Sequence, residues 1–323
     1  MTTLLVVAIS IGTVLLFGCI GEILTEKAGH LNLGIPGIMC MGTVGGCLAV
    51  SLYMKSLPDP AAASWWALIL SSVGMAFLFA TATGAIYAFL TVTLRCNQNI
   101  TGLAITTFGN GFTQFLMNTV VDRSTLPAAG KIISTPFSFA GKLGGFGNVV
   151  FGHGFYVYFA IVIAVVAALV LNKTRVGLSL RAVGESPATA DAAGVNVTRY
   201  KYGAILIGSG IAGFGGFYYI IDFLKGSWEN ASAVEAFGWL AIALVIFALW
   251  KPMFAVIGSI LFGGLFVVAS MLEFPATMKT LKLVLGMLPY IITILVLIIT
   301  SARQKKENLP PAALGLAYFR EER

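Results

Sequence analysis

Asn97-Gln98-Asn99-Ile100-Thr101 interrupts an otherwise apolar stretch, and Thr106, Thr107, Asn110, Gln114 and Asn118 follow it. In a helix, positions three and four apart share a face. Thr107, Asn110, Gln114 and Asn118 therefore form one polar stripe. Amides offer donors and acceptors without a net charge, which suits a neutral, hydrogen-bonding solute such as a nucleoside or a sugar. Phe108 and Phe112 lie beside the stripe and present flat faces on which a base can stack. Asn97, Asn99 and Asn32 complete the candidate contacts with a solute. The same side chains equally suit hydrogen bonds between helices, and both readings stand.

Other chemistry is thin. Gly208-Ser-Gly-Ile-Ala-Gly213 fits G-x-G-x-x-G, but a dinucleotide site needs a preceding strand and a ribose-binding acid about 20 residues on. Here it sits inside an apolar run, where small residues let helices approach closely. Gly42 and Gly46 carry the same meaning. No G-x-x-x-x-G-K-[ST] phosphate loop occurs. His30 and His153 are isolated, so no metal site is expected. Cys19, Cys40, Cys47 and Cys96 lack metal-ligand spacing and read as small buried hydrophobes without a disulfide. Glu22, Asp222 and Glu235 lie near the ends of apolar runs, where water is expected to reach them.

The surroundings of these residues are apolar. Of 323 residues, 58% are hydrophobic and 10% are charged, against about 25% charged in soluble domains. Lipid must be the solvent for much of the chain. A helix needs about 20 apolar residues to cross the hydrocarbon core. Nine runs qualify: 4–24, 31–54, 65–93, 100–121, 153–172, 202–224, 233–250, 252–272 and 280–300. The second and fourth carry Gly, Asn or Pro and are candidates for broken or re-entrant segments, so the count ranges from eight to ten. Met1 to Leu5 lack the basic residues of a signal peptide, which makes the first run a retained span. The fold class expected is an all-α polytopic bundle, with a membrane domain over 1–302 and a tail over 303–323. With nine alternating spans, 13 of the 20 basic residues fall on one side and 7 on the other. The net charge of +7 thus reflects membrane orientation rather than nucleic-acid binding. The basic side is the cytoplasmic one, placing the N-terminus outside and the C-terminus in the cytoplasm of a cell-membrane protein.

Residues 173–201 form a long loop on the cytoplasmic side. Within it, Ser186 suits an N-cap, Pro187 the first helical position, Ala188 to Ala193 a helix interior, and Gly194 a left-handed C-terminal cap. A helix of about two turns is unstable alone in water. It packs either on its own membrane domain or into a groove of a cytoplasmic protein.

Gly177 to Gly194, reading GLSLRAVGESPATADAAG, resembles the cytoplasmic coupling loop of the permease subunits of ABC importers for simple sugars, branched-chain amino acids and nucleosides. Ala28 to Gly46, Phe237 to Gly264 with its Lys251-Pro252 turn, and Pro310 to Arg323 resemble further parts of the same family, the last being nearest the nucleoside type. Pro36 and His30 depart from the usual pattern; the resemblance implies a nucleoside as first choice of solute, with a sugar or a branched-chain amino acid as alternatives. The resemblance implies a subunit that catalyses no bond chemistry and binds no cofactor. ATP and Mg would be held by a separate cytoplasmic ATPase. Arg181, Gly184, Glu185, Ser186, Pro187, Ala190, Asp191 and Gly194 would form the contact with it. A second permease chain, an extracellular substrate-binding lipoprotein, membrane lipid and a small-molecule substrate complete the implied partners. A secondary transporter needs buried charges or ion-binding half-helices in two repeats, and a membrane enzyme needs clustered acids or histidines; the sequence offers neither pattern.

Overall fold

A backbone in hydrocarbon must satisfy its own polar groups, so apolar runs of this length become helices. The computed structural model describes residues 2–136, 144–271, 284–303 and 309–319, and no strand occurs among them. The helices are α1 (Thr2–Lys27), α2 (Ile35–Ser56), α3 (Trp65–Ala88), α4 (Gln98–Thr119), α5 (Leu126–Ile133), α6 (Gly144–Phe151), α7 (Phe155–Lys173), α8 (Arg175–Glu185), α9 (Pro187–Ala192), α10 (Val197–Tyr218), α11 (Ala231–Phe247), α12 (Pro252–Met271) and α13 (Leu288–Arg303). Single π turns, Phe89–Thr93 and Tyr219–Phe223, prolong α3 and α10. With these extensions, α1, α2, α3, α7 and α10 are long and apolar enough to cross a membrane, while Ala231–Phe247 and Pro252–Val268 are shorter apolar helical stretches. The ninth run, 280–300, lies partly outside the described residues.

The runs around Gly34–Gly46 and Gly102–Gly111 are not broken. α2 and α4 are continuous helices of 22 residues each. The glycines serve approach instead: a Cβ on Gly37 would overlap the backbone of Ile105 and Thr106, and one on Gly109 would overlap Gly37. Pro36 sits in the first turn of α2, where its missing N–H breaks no helical bond.

The centre of the bundle is α10, which packs on α1, α2 and α3. Its small-residue face meets Gly21 of α1 at Gly208, Gly42 of α2 at Gly213, and Ser209 meets Gly84 of α3. A Cβ on Gly215 would stand 2.7 Å from the Val14 carbonyl oxygen. Here G-x-G-x-x-G is a packing surface, as the sequence implies. Outward faces carry large apolar side chains, among them Leu70 on α3, Val162 on α7, Ile257 on α12 and Ile298 on α13, as lipid contact requires.

The two ends of the bundle differ. Lys27, Arg95, Arg181, Arg199, Lys201 and Lys251 gather at one end, together with residues 309–319. The opposite end carries Lys55, paired with Asp122 at 3.2 Å, and Lys225, paired with Asp222 at 3.4 Å. Lys142, Lys279, Lys282, Lys305, Lys306, Arg320 and Arg323 lie outside the described residues. Of the four cysteines, Cys19, Cys40 and Cys47 are buried and free, but Cys96 is exposed. It follows the end of the π turn, past the apolar run that was expected to cover it.

Gly42→Val forces a branched side chain into the Gly213 backbone. Overpacking of this kind costs about 1–3 kcal/mol, so the variant should melt well below the wild type in detergent by circular dichroism. An unchanged melting temperature would show that α2 and α10 are not in contact there.

Candidate functional site

The loop after α7 builds itself from local signals. The Thr174 hydroxyl caps α8 by accepting from the Gly177 N–H at 3.1 Å. Ser186 closes α8 and opens α9: its backbone N–H donates to the Ala182 carbonyl, and its hydroxyl accepts from the Thr189 N–H at 3.4 Å. Pro187 occupies the first turn, and Gly194 takes φ +85°, the left-handed cap. A two-turn helix needs tertiary support, and a strap made by residues 309–319 supplies it. The Ala313 N–H donates to the Gly184 carbonyl at 3.0 Å, the Gly315 N–H to the Gly29 carbonyl at 3.2 Å, and the Ala312 N–H to the Glu185 carboxylate at 3.4 Å. The Tyr318 hydroxyl donates to Asp191 at 2.8 Å, and Arg95 lies over the Phe319 ring at 4.7 Å.

This strap assigns distinct places to the loop residues. Ala190 is buried with Val183 and Val197 beneath Tyr318, so it faces inward. Gly184 is buried where a Cβ would overlap the Lys27 carbonyl. Glu185 and Asp191 bind the strap, and Arg181 is half-buried. The exposed residues of α9 and its C-terminal cap are Ala188, Thr189, Ala192, Ala193 and Gly194. The first four were not singled out in the sequence; the 3.6-residue period from buried Ala190 would have found them.

Immediately behind the strap lies a buried acidic pair. Glu22 and Glu26 are one turn apart on α1 and are 0% and 2% exposed. Water was expected to reach Glu22. Instead residues 28–34 fold back over the end of α1, and the Asn32 N–H donates to Glu22 at 2.9 Å. The Trp250 indole N–H donates to Glu26. Leu249 and Trp250 both take left-handed φ, 53° and 54°, a conformation that costs energy in non-glycine residues. This bond therefore fixes a strained turn between α11 and α12. Asp222 is also buried, with Lys225 as its partner, and Glu235 is half-buried. Asn32 is 0% exposed, and its side-chain oxygen accepts from the Gly34 N–H at 2.9 Å. His30 is buried beside it, and that burial pushes its pKa down to about 3, with Lys201 adding to the effect. The imidazole is therefore neutral.

The polar stripe is formed, and part of it is engaged. Gln114 accepts from the Ala231 N–H at 3.0 Å, and Asn110 donates to Ser232 at 3.4 Å and to the Glu235 carboxylate. Glu235 also accepts from the Trp239 indole at 3.4 Å. These bonds join α4 to the start of α11. Thr107 and Asn118 are exposed. Phe108, Phe112 and Phe115 form an exposed ladder, with successive ring centroids 5.3 and 6.4 Å apart. Asn97 is the N-cap of α4, accepting from the Ile100 N–H at 3.1 Å, and lies with Asn99 against the strap near Gly315. Neither is near the stripe's far end. Among the described residues no cluster has the make-up of a metal site.

The model of the family described as branched-chain amino acid transport system / permease component matches residues 4–299. The chain belongs to this permease family. The permease is 32% identical over 268 residues to a putative glucose ABC transporter permease protein, TsgC13, of Haloferax volcanii, covering 80% of this chain and 74% of the relative. It is 29% identical over 330 residues to the nucleoside ABC transporter permease protein NupC of Lactococcus lactis subsp. cremoris, and 28% identical over 323 residues to the guanosine ABC transporter permease protein NupQ of Bacillus subtilis. Both of these alignments cover 96% of the permease and 94% of the relative.

Trp250→Phe keeps the ring but leaves Glu26 without its donor. A buried acceptor deprived of its partner costs about 1–3 kcal/mol, so thermal stability should fall, whereas Trp239→Phe at the half-exposed site should change it little. Equal melting temperatures for both variants would refute the buried bond.

Proposed function

We propose that this permease carries nucleosides through the membrane in an ABC importer, driven by a separate ATPase. The observation that supports this solute is the near end-to-end similarity to two permeases named for nucleoside and guanosine transport. The open polar stripe of α4 suits it chemically. Amides and hydroxyls at Thr107, Asn110 and Asn118 offer neutral hydrogen bonding, and the Phe108–Phe112–Phe115 ladder offers stacking. On this reading α4 faces a second permease chain, and the pathway runs between the two.

The coupling role rests on the α9 face. Ala188, Thr189, Ala192 and Ala193 are small and exposed, so a cytoplasmic ATPase can close over them. The strap carries force from that contact to Gly29 and Gly184, and through residues 28–34 to Glu22 on α1. The permease itself performs no bond chemistry; ATP and Mg belong to the ATPase. An extracellular binding lipoprotein delivers the solute. The end bearing Lys27, Arg95, Arg181 and Lys251 is cytoplasmic by the positive-inside rule, with the N-terminus outside, the spanning domain over 1–302 and the tail over 303–323 inside. The similarity to a glucose permease favours a second reading, a sugar as solute.

Uptake of labelled guanosine and labelled glucose into cells carrying the complete system separates the two solutes: guanosine uptake is expected, and saturable glucose uptake alone would replace the nucleoside reading. Ala192→Glu places a charge on the open face of α9. It should abolish uptake and ATPase stimulation while leaving the melting temperature unchanged; normal uptake would remove α9 from the coupling. The purified permease without its partners should show no saturable ATP binding by equilibrium dialysis.

A further inference from the structure

At the basic end, between the end of α3, the start of α10 and the strap, lies a cavity of about 710 Å³. Its walls include Arg95, Arg199, Lys201 and the first turn of α10, entered from Asn196. Asn196 caps that turn by accepting from the Arg199 N–H at 2.9 Å. The remaining first-turn N–H groups have no intrahelical partner, and the positive end of the helix dipole lies there. Asp191 is the acid on the wall, and it is bound by Tyr318. The decisive residue is Lys201. It is 3% exposed, it lines the cavity, and it forms neither a hydrogen bond nor an ion pair with any described residue. A buried ammonium without a partner is costly. A fold that retains one beside a cavity has left room for an anion.

We propose that this cavity binds a phosphate group. Two guanidinium groups, one ammonium and a helix N-terminus supply the donors that a tetrahedral oxyanion accepts. A polar headgroup fits the volume. The elements that carry the cavity wall also bear exposed apolar residues: Phe89 on the π extension of α3, Leu94 just after it, and Ile207 on α10. That arrangement suits a phospholipid whose chains lie along the helices. Basic residues just beyond the ends of spans attract anionic headgroups in the same way. A free phosphate ester shares the chemistry. The site is independent of the solute transported and of the stripe on α4.

The test uses the full-length permease in nanodiscs. In discs with equal phosphatidylglycerol and phosphatidylcholine, native mass spectrometry should find phosphatidylglycerol retained over phosphatidylcholine by about tenfold, the size of one charge-assisted contact. Lys201→Gln and Arg199→Gln should each lose that preference. Arg199 is exposed, so its variant tests the site even where Lys201→Gln fails to fold, as judged by circular dichroism. In phosphatidylcholine discs, added inorganic phosphate reports the soluble source: a rise in melting temperature that Arg199→Gln abolishes assigns the site to a free phosphate. Absence of both effects in the wild type, or variants indistinguishable from it, overturns the proposal. So does an effect of the variants on ATPase assembly alone, because the cavity would then receive protein.

Discussion

Backbone-to-backbone contact along α10 is the constraint on which the rest of the structure depends. In lipid there is no hydrophobic effect to press helices together, so association rests on close packing and hydrogen bonds between them. α10 meets α1 at Gly208 and Gly21 and α2 at Gly213 and Gly42, and it receives Ser209 against Gly84 of α3. Three helices are thereby fixed to one axis with little freedom of separation. Everything at the basic end hangs from that frame. α1 carries Glu22 and Glu26, and the segment after it carries Gly29, to which the strap binds.

The frame also orders the polar groups by depth and by role. The half-buried amides of α4 are shared with α11, whereas the buried acids of α1 are spent on the backbone of Asn32 and the indole of Trp250. The first set retains exposed neighbours, Thr107 and Asn118 among them. The second set is closed and holds two turns in place. Bonds connect α9 to Gly29 through the strap, and α1 to the α11–α12 turn through Glu26, without involving the stripe. The two sets thus occupy different parts of one bundle.

Local features were legible in the sequence. Ser186, Pro187 and Gly194 announce α9 because caps act over three or four residues. The apolar runs locate the spans for the same kind of reason. What was not legible depends on partners distant in the chain. Trp250 meets Glu26 across 224 positions and Tyr318 meets Asp191 across 127, and no periodicity reports such pairs. The burial of Asn32 was not legible either, because an isolated amide in an apolar run carries no sign of its neighbours. The supposed breaks in α2 and α4 have the same origin: glycine marks a bend or a close approach, and only the facing helix decides which.

The strap has a consequence for biosynthesis. Residues 309–319 leave the ribosome after every helix of the bundle has been made. Until then α9 has its caps but lacks Tyr318 over Ala190 and the Ala313 bond at Gly184, so its supporting surface is unfinished. Completion of this surface is thereby delayed until the preceding helices have been made. A nascent chain that stalls after α13 presents an unlatched helix, which gives the cell a physical difference between finished and unfinished chains.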